Sequence, residues 1–220
     1  MSLTGSVRAA ANDGKTRRRL PGPQRRALIL QAALHTFAAH GYDGAAMDEI
    51  AAAAGVSKAV VYDHVASKRD LYTQLLHAIR DEIERTVEEA LSAPGASGEQ
   101  RVRGAVEGIY AYVHDHPDAS RLLMLELQGA NVSDVGRELE ERLNAQLART
   151  LGDEGRLFEG HPRRARQLTI LAELLKASVL GAVAWWYRHP EASRQDLVER
   201  TVEVVWPAIE RALPGAVQPG

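Results

Sequence analysis

Apolar residues recur at intervals of three and four along nearly the whole chain, the spacing of helices that each bury one face. From Gln24 to His40 the inward stripe is Leu30, Ala33, Leu34 and Phe37, with Gly41 as a C-terminal stop. Met47, Ile50, Ala51 and Ala54 predict a short second helix from about residue 46, and the alanines between them let another helix approach closely. Gly55 tolerates the positive φ that ends such a helix, so the chain can turn within Gly55, Val56 and Ser57. Ser57 suits the N-cap of a third helix running to about Val65, whose apolar side is Val56, Val61 and Val65. Leu71, Leu75, Ile79, Ile83 and Val87 return every fourth residue and predict a fourth helix, Lys68 to about Ser92. At about 1.5 Å per residue it spans roughly 35 Å.

After a break at Ala93–Gly98, five more helices are predicted at about 99–115, 118–129, 132–151, 162–188 and 193–212. They are separated by Pro117, a Gly129–Asn131 bend, a Gly152–Pro162 loop and His189-Pro190. No segment alternates with period two between hairpin turns. The fold class is therefore all-α: an N-terminal three-helix unit and a larger C-terminal helical bundle, about nine helices in all. The last two helices are apolar over more than one face, which requires neighbours on nearly every side.

The pair of short helices has the form of a helix-turn-helix, in which Val56, Val61 and Val65 pack inward and Lys58, Ala59, Val60, Tyr62, Asp63 and His64 spread over the outer surface. Ile29-Leu30, Ala32-Ala33, Phe37, Gly41-Tyr42, Ile50-Ala51, Ala54 to Lys58, Tyr62, His64 and Ser67-Lys68 together resemble the TetR (AcrR-like) family of transcriptional regulators, over about residues 24 to 85. Ala46 departs from the Ser or Thr cap usual in that family, at a cost of roughly 1 kcal/mol unless a neighbour supplies the bond. Val65 replaces the more usual Phe.

The resemblance implies that Tyr62, His64 and Lys68 contact the DNA backbone, and their phenol, imidazole and ammonium groups can all donate to phosphate. Arg25 and Arg26 join them from the first turn of the first helix, where the helix dipole disfavours cations and favours an external anion. Base reading falls to Lys58, toward guanine O6/N7, to Ala59 and Val60, toward a thymine methyl, and to Asp63, toward cytosine N4. An exposed acid that only repels phosphate is the other reading of Asp63. In the family resembled, the last two long helices pair with their symmetry mates in a homodimer. Val179, Ala182, Val183, Trp186, Val202, Val205 and Trp206 are the interface candidates here. The family's effector pocket lies in the larger domain, where Tyr110, His114, Met124, Leu127, Gln128 and Trp185 are candidates for an unknown, apolar small-molecule effector.

Composition sharpens this picture at a few points. A hydrophobic content of 45% over 220 residues is ample for a core, and without cysteine there is no disulfide, thiolate metal site or cysteine nucleophile. The net charge is −2, yet residues 1–69 hold ten Lys/Arg against five acids, a balance of +5 that leaves −7 for the rest. Lys15 and Arg17 to Arg19 make residues 1–23 a basic arm expected to be disordered, able to follow phosphates or to act as a solubilising tail. The domains expected are this arm, a DNA-binding domain over 24–67 with its helix-turn-helix at about 46–65, a connecting helix over 68–92, and an effector-binding and dimerisation domain over 99–212.

Nothing points to chemistry. His114 and His116 lie two apart on one helix and face different ways, so they do not make a metal pair. Glu138, Glu140, Glu141 and Arg142 read as a solvated face. No metalloprotease, P-loop, nucleophile-elbow or dinucleotide glycine pattern occurs. With no run of eighteen apolar residues and no signal-peptide core, the chain is expected in the cytoplasm, off the membrane and without cofactor. The expected function is a ligand-responsive homodimeric regulator, a repressor, that binds a near-palindromic stretch of double-stranded DNA and is released by its effector. The alternative is a DNA-binding helical protein with no small-molecule effector, controlled by a protein partner or acting architecturally.

Overall fold

A computed structural model describes residues 21–128, 134–153 and 156–213. Nearly all of the basic arm and the bend at Gly129–Asn131 lie outside the described residues. Among those described there are nine helices and no strand: α1 (Gly22–Gly44), α2 (Met47–Ala53), α3 (Lys58–Tyr62), α4 (Lys68–Leu91), α5 (Gly98–Asp115), α6 (Pro117–Gln128), α7 (Asp134–Asp153), α8 (Arg164–Arg188) and α9 (Arg194–Ala212). The chain divides into two compact units, Met1–Ala78 and Ile79–Gly220. The division falls within α4 rather than at the Ala93–Gly98 break, so the first half of that helix belongs with the helix-turn-helix and the second half with the bundle.

In the first unit α1 buries Ile29, Ala32, Ala33, Thr36, Phe37 and Ala38, whereas Leu30 and Leu34 are only half-buried. The buried stripe is thus rotated from the expected one. Between Ile29 and Phe37 it is filled by alanines and Thr36, whose hydroxyl is satisfied by donating to the Ala32 carbonyl at 2.9 Å. Gly41, at φ 70°, breaks the helical backbone where a stop was expected, and a further turn follows. That turn brings Tyr42 against Phe37 and Tyr72, with Phe37–Tyr72 and Tyr42–Tyr72 ring centroids 4.8 and 5.0 Å apart in edge-on geometry. Leu71, Tyr72, Leu75 and Leu76 are buried from α4. Its start is fixed by Ser67, which accepts from the Asp70 N–H at 3.0 Å while the Asp70 carboxylate accepts from the Ala66 N–H at 2.9 Å.

In the second unit the end of α4 packs closely on α5, because a Cβ added to Gly108 would lie 2.5 Å from the Thr86 methyl. A full capping box of Ser97 and Gln100 starts α5, and Ser193 caps α9 by accepting from the Asp196 N–H. One core cluster gathers Leu151, Leu157, Leu168, Leu171, Ala172, Ile209 and Ala212. Another is built from Val106, Tyr110, Val183, Leu197, Val198 and Val202. By length and composition α8 alone among the described helices could cross a membrane. In this structure it packs on α7 and α9 instead.

Candidate nucleic-acid interface and ligand cavity

The turn between α2 and α3 is a Schellman motif. Gly55 takes φ 67°, its N–H donates to the Ala52 carbonyl at 3.1 Å, and the Val56 N–H donates to Ala51 at 3.0 Å. Only glycine adopts that φ without strain. Ser57 then caps α3 as expected, accepting from the Val60 N–H at 3.4 Å. Val61 and Val65 are buried beneath, so the smaller Val65 still closes the core at the position where the family favours Phe. Ala46 is an N-cap without a side-chain cap bond, as its residue type dictates.

Packing Val61 and Val65 inward turns the predicted base readers outward. Lys58, Ala59, Tyr62 and Asp63 are exposed, and Val60 and His64 are half-buried. Lys58 is not idle: its ammonium lies 2.8 Å from Asp48 of α2, and this hydrogen bond with its attendant charge holds the lysine above its usual pKa. Glu49, next to Asp48, meets His40 at 3.1 Å. Lys68 is half-buried, donates to the Asp43 carbonyl at 3.3 Å and sits 4.8 Å from the Tyr42 ring centroid. An ammonium has three donors, so this lysine is positioned without being used up.

Arg26 is placed differently from expectation. Its guanidinium donates to Gln74, and its charge acts on Asp70, whose carboxyl is held low first by the Gln74 hydrogen bond and then by the Ala66 N–H. The unfavourable dipole position of this arginine is therefore answered from within the protein rather than by an external anion alone. Arg25 stands beside it, half-buried in the same helix.

The second unit holds a cavity of about 200 Å³ walled by α4 through α9. Of the six residues expected to line it, Met124 and Leu127 do. Tyr110 does not: it is fully buried, and its phenol shares a 2.6 Å hydrogen bond with Thr201 that ties α5 to α9. Burial pushes that phenol's pKa up. His114 lies in a neighbouring cleft, stacked on Trp186 at 6.2 Å between centroids. Trp185 is exposed and stacked on His189 at 4.2 Å. The Gln128 side chain lies outside the described residues. Sequence reasoning missed Ile83, Val87 and Leu91 of α4 and Leu143 and Leu147 of α7, although the first two were visible as a stripe continuing past the helix-turn-helix.

Of the seven residues expected at a dimer interface, three require a correction and four are half-buried. Val183, Val202 and Val205 are buried inside the protomer, and Val179, Ala182, Trp186 and Trp206 pack against its core. They were chosen for hydrophobicity, which does not say which face of a doubly apolar helix turns inward. The outward apolar side chains of these helices are Ile170, Leu174 and Trp185 on α8, with Gly181 exposed between them, and Val204 on α9. Glu140 also departs from a merely solvated role, since Lys176 of α8 bonds it at 3.0 Å. His114 stacks on Trp186, whereas His116 lies against Tyr112 with the rings tilted by 54°, so each imidazole is taken up by a different aromatic ring. Among the described residues no group of three His, Asp or Glu side chains could hold a metal ion.

Residues 29–75 match the sequence profile of bacterial regulatory proteins of the tetR family. Over 192 residues the chain is 33% identical to the HTH-type transcriptional activator FasR of Mycolicibacterium smegmatis, spanning 86% of this chain and 84% of that protein. It is 28% identical over 117 residues to the HTH-type transcriptional repressor SCO4008 of Streptomyces coelicolor, spanning 53% and 57%. Among solved structures, a TetR-like transcriptional regulator from Rhodococcus sp. RHA1 superimposes with a TM-score of 0.63 at 25% identity, over 87% of this chain and 99% of that one. A helix-turn-helix, a helical second unit and a relative matched along most of its length agree: the chain belongs to the TetR family of bacterial transcriptional regulators, which bind DNA through this motif.

Proposed function

We propose that the protein is a homodimeric repressor that binds a near-palindromic operator and is released when a small apolar effector enters the cavity of its second unit. The observation that carries this reading is the course of α4. The helix begins at Lys68, a predicted phosphate contact, and its far end supplies Ile83, Val87 and Leu91 to the cavity wall. A ligand that fits only one setting of that wall biases the setting of α4, and so the spacing of the two reading heads in a dimer. A tenfold loss of DNA affinity needs only about 1.4 kcal/mol of difference between the two settings.

Reciprocal titration tests the switch. Linkage requires the effector to weaken DNA binding by the same factor by which DNA weakens effector binding. If both bind and neither affects the other, the protein acts without an effector, through a protein partner or as an architectural factor. The dimer rests on the outward stripe of α8. Two recognition helices in successive major-groove turns sit about 34–36 Å apart, which makes the operator two-fold symmetric. Leu174→Glu, which places a charge on that stripe, should leave the fold intact and give a monomer by sedimentation equilibrium, with operator affinity lost. A persistent dimer would move the interface elsewhere.

The resemblance to the activator FasR favours a second reading, in which the bound protein raises transcription. A reporter fused to the operator-bearing promoter separates the two: deletion of the regulator raises output for a repressor and lowers it for an activator. Either role places the protein with the DNA, in the cytoplasm.

A further inference from the structure

We propose that the effector is an amphiphile with a flexible aliphatic chain and an anionic head, the chain filling the inner cavity and the head resting in the adjoining cleft at Arg194. This rests on the reading of the second unit as the effector domain, and it follows from how chemistry is divided between two neighbouring hollows. The inner cavity, about 200 Å³, is lined by Ile, Leu, Val, Met and Ala with a few polar residues, and among the described residues no aromatic ring lines it. Flat aromatic ligands and organic cations are usually gripped by stacking and by ring faces, and here they find none. A flexible alkyl chain needs only the aliphatic surface the cavity offers.

The polar residues of the inner cavity are poorly suited to an anionic head. Lys176 is already matched by Glu140 at 3.0 Å and Glu173 at 2.8 Å. Glu88 accepts from the Gln146 amide at 2.8 Å. Glu84 adds a further acid, its carboxyl pushed up chiefly by burial. The α4 side of the cavity is thus acidic with its one cation neutralised.

The other hollow is the reverse. It is a cleft of about 600 Å³ bearing His114, Trp186, Tyr187 and Arg194. Arg194 makes no ion pair or hydrogen bond among the described residues; it stands exposed in the first turn of α9, where the helix dipole disfavours a cation, with Asp196 in the same turn and Glu107 and Glu199 in a hollow on its other side. Val113 and Val183 line both hollows, so the aliphatic chamber and the basic, aromatic one share a wall of two valine side chains. One molecule that bridges them must be apolar at one end and anionic at the other.

Titration calorimetry of the full chain with dodecanoate, dodecanol and dodecyltrimethylammonium tests this directly, with octanoate and decanoate to vary chain length and naphthoate as the flat aromatic anion. Dodecanoate should bind at least tenfold more tightly than the other two twelve-carbon compounds. Each added methylene from octanoate onward should tighten binding about fourfold. Arg194→Gln should remove the preference for dodecanoate over dodecanol, and Arg194→Lys should restore part of it, with thermal melting by circular dichroism confirming that both variants fold. Equal affinity for the three heads, or no effect of Arg194→Gln on a chain that still binds, overturns the assignment of the head while the effector domain stands. Naphthoate binding more tightly than dodecanoate overturns the aliphatic chain. If nothing in the series binds, this proposal falls, while the effector reading it rests on is decided separately by the reciprocal titration with DNA.

Discussion

At the scale of single residues, the reading motif carries one local omission and one internal restraint. Ala46 leaves an orphan N–H at the start of α2, so Ala46→Ser should stabilise the protein by about 1 kcal/mol in urea unfolding, without altering the reading face. Lys58 is restrained by Asp48, and a lysine that must leave an acid before meeting DNA gains less on binding. Asp48→Asn should raise DNA affinity a few-fold and steepen the dependence of log K on log salt by about one unit, read by fluorescence anisotropy at several salt concentrations. An unchanged slope would mean that the released Lys58 reaches no phosphate. The Ser57 cap was legible in the sequence because it is a bond between residues three apart. The Asp48–Lys58 pair was not, because it exists only at the angle at which α2 and α3 cross, and the same holds for Arg26 with Gln74.

At the scale of elements, the sequence foretold every described helix with ends displaced by only a few residues, since caps, glycines and prolines act locally. Faces were harder. On α1 the true stripe runs through alanines and Thr36, and on α8 and α9 apolar residues surround the axis, so periodicity could not say which side meets the core. The contact between α4 and α5 depends on a residue that no periodicity highlights. Gly108→Ala drives a methyl into Thr86, whose hydroxyl is engaged with the Glu82 carbonyl at 2.9 Å, so the side chain cannot simply rotate away. The expected loss is about 1–3 kcal/mol. Thr86→Ser, which removes the opposing methyl, should recover most of it in the double variant, and strict additivity of the two changes would show that the residues do not touch.

At the scale of the whole molecule, the positive charge of the DNA-binding end is unevenly held. Arg8, Lys15 and Arg17 to Arg19 supply five of its ten bases, and residues 21–69 retain five bases against four acids. A nearly neutral reading unit gains little from long-range attraction. Deleting residues 1–20 should therefore lower the salt slope by up to about four units and weaken binding to operator and random DNA alike. A slope that survives the deletion would assign the phosphate contacts to the helices. The fold and reading motif were legible because their signals are local, whereas the cavity is assembled from single side chains on six helices and has no signature along the chain.

All three tryptophans, Trp185, Trp186 and Trp206, belong to the second unit, and the helix-turn-helix unit has none. Indole emission is therefore a native reporter of the bundle alone, blind to the surface that meets DNA. Two of the three rings lie against imidazoles, Trp186 on His114 and Trp185 on His189, so their brightness depends on how those stacks are held. Any change in that light on adding operator DNA reports on the second unit. The unlabelled protein thereby carries an optical readout of communication between its two halves.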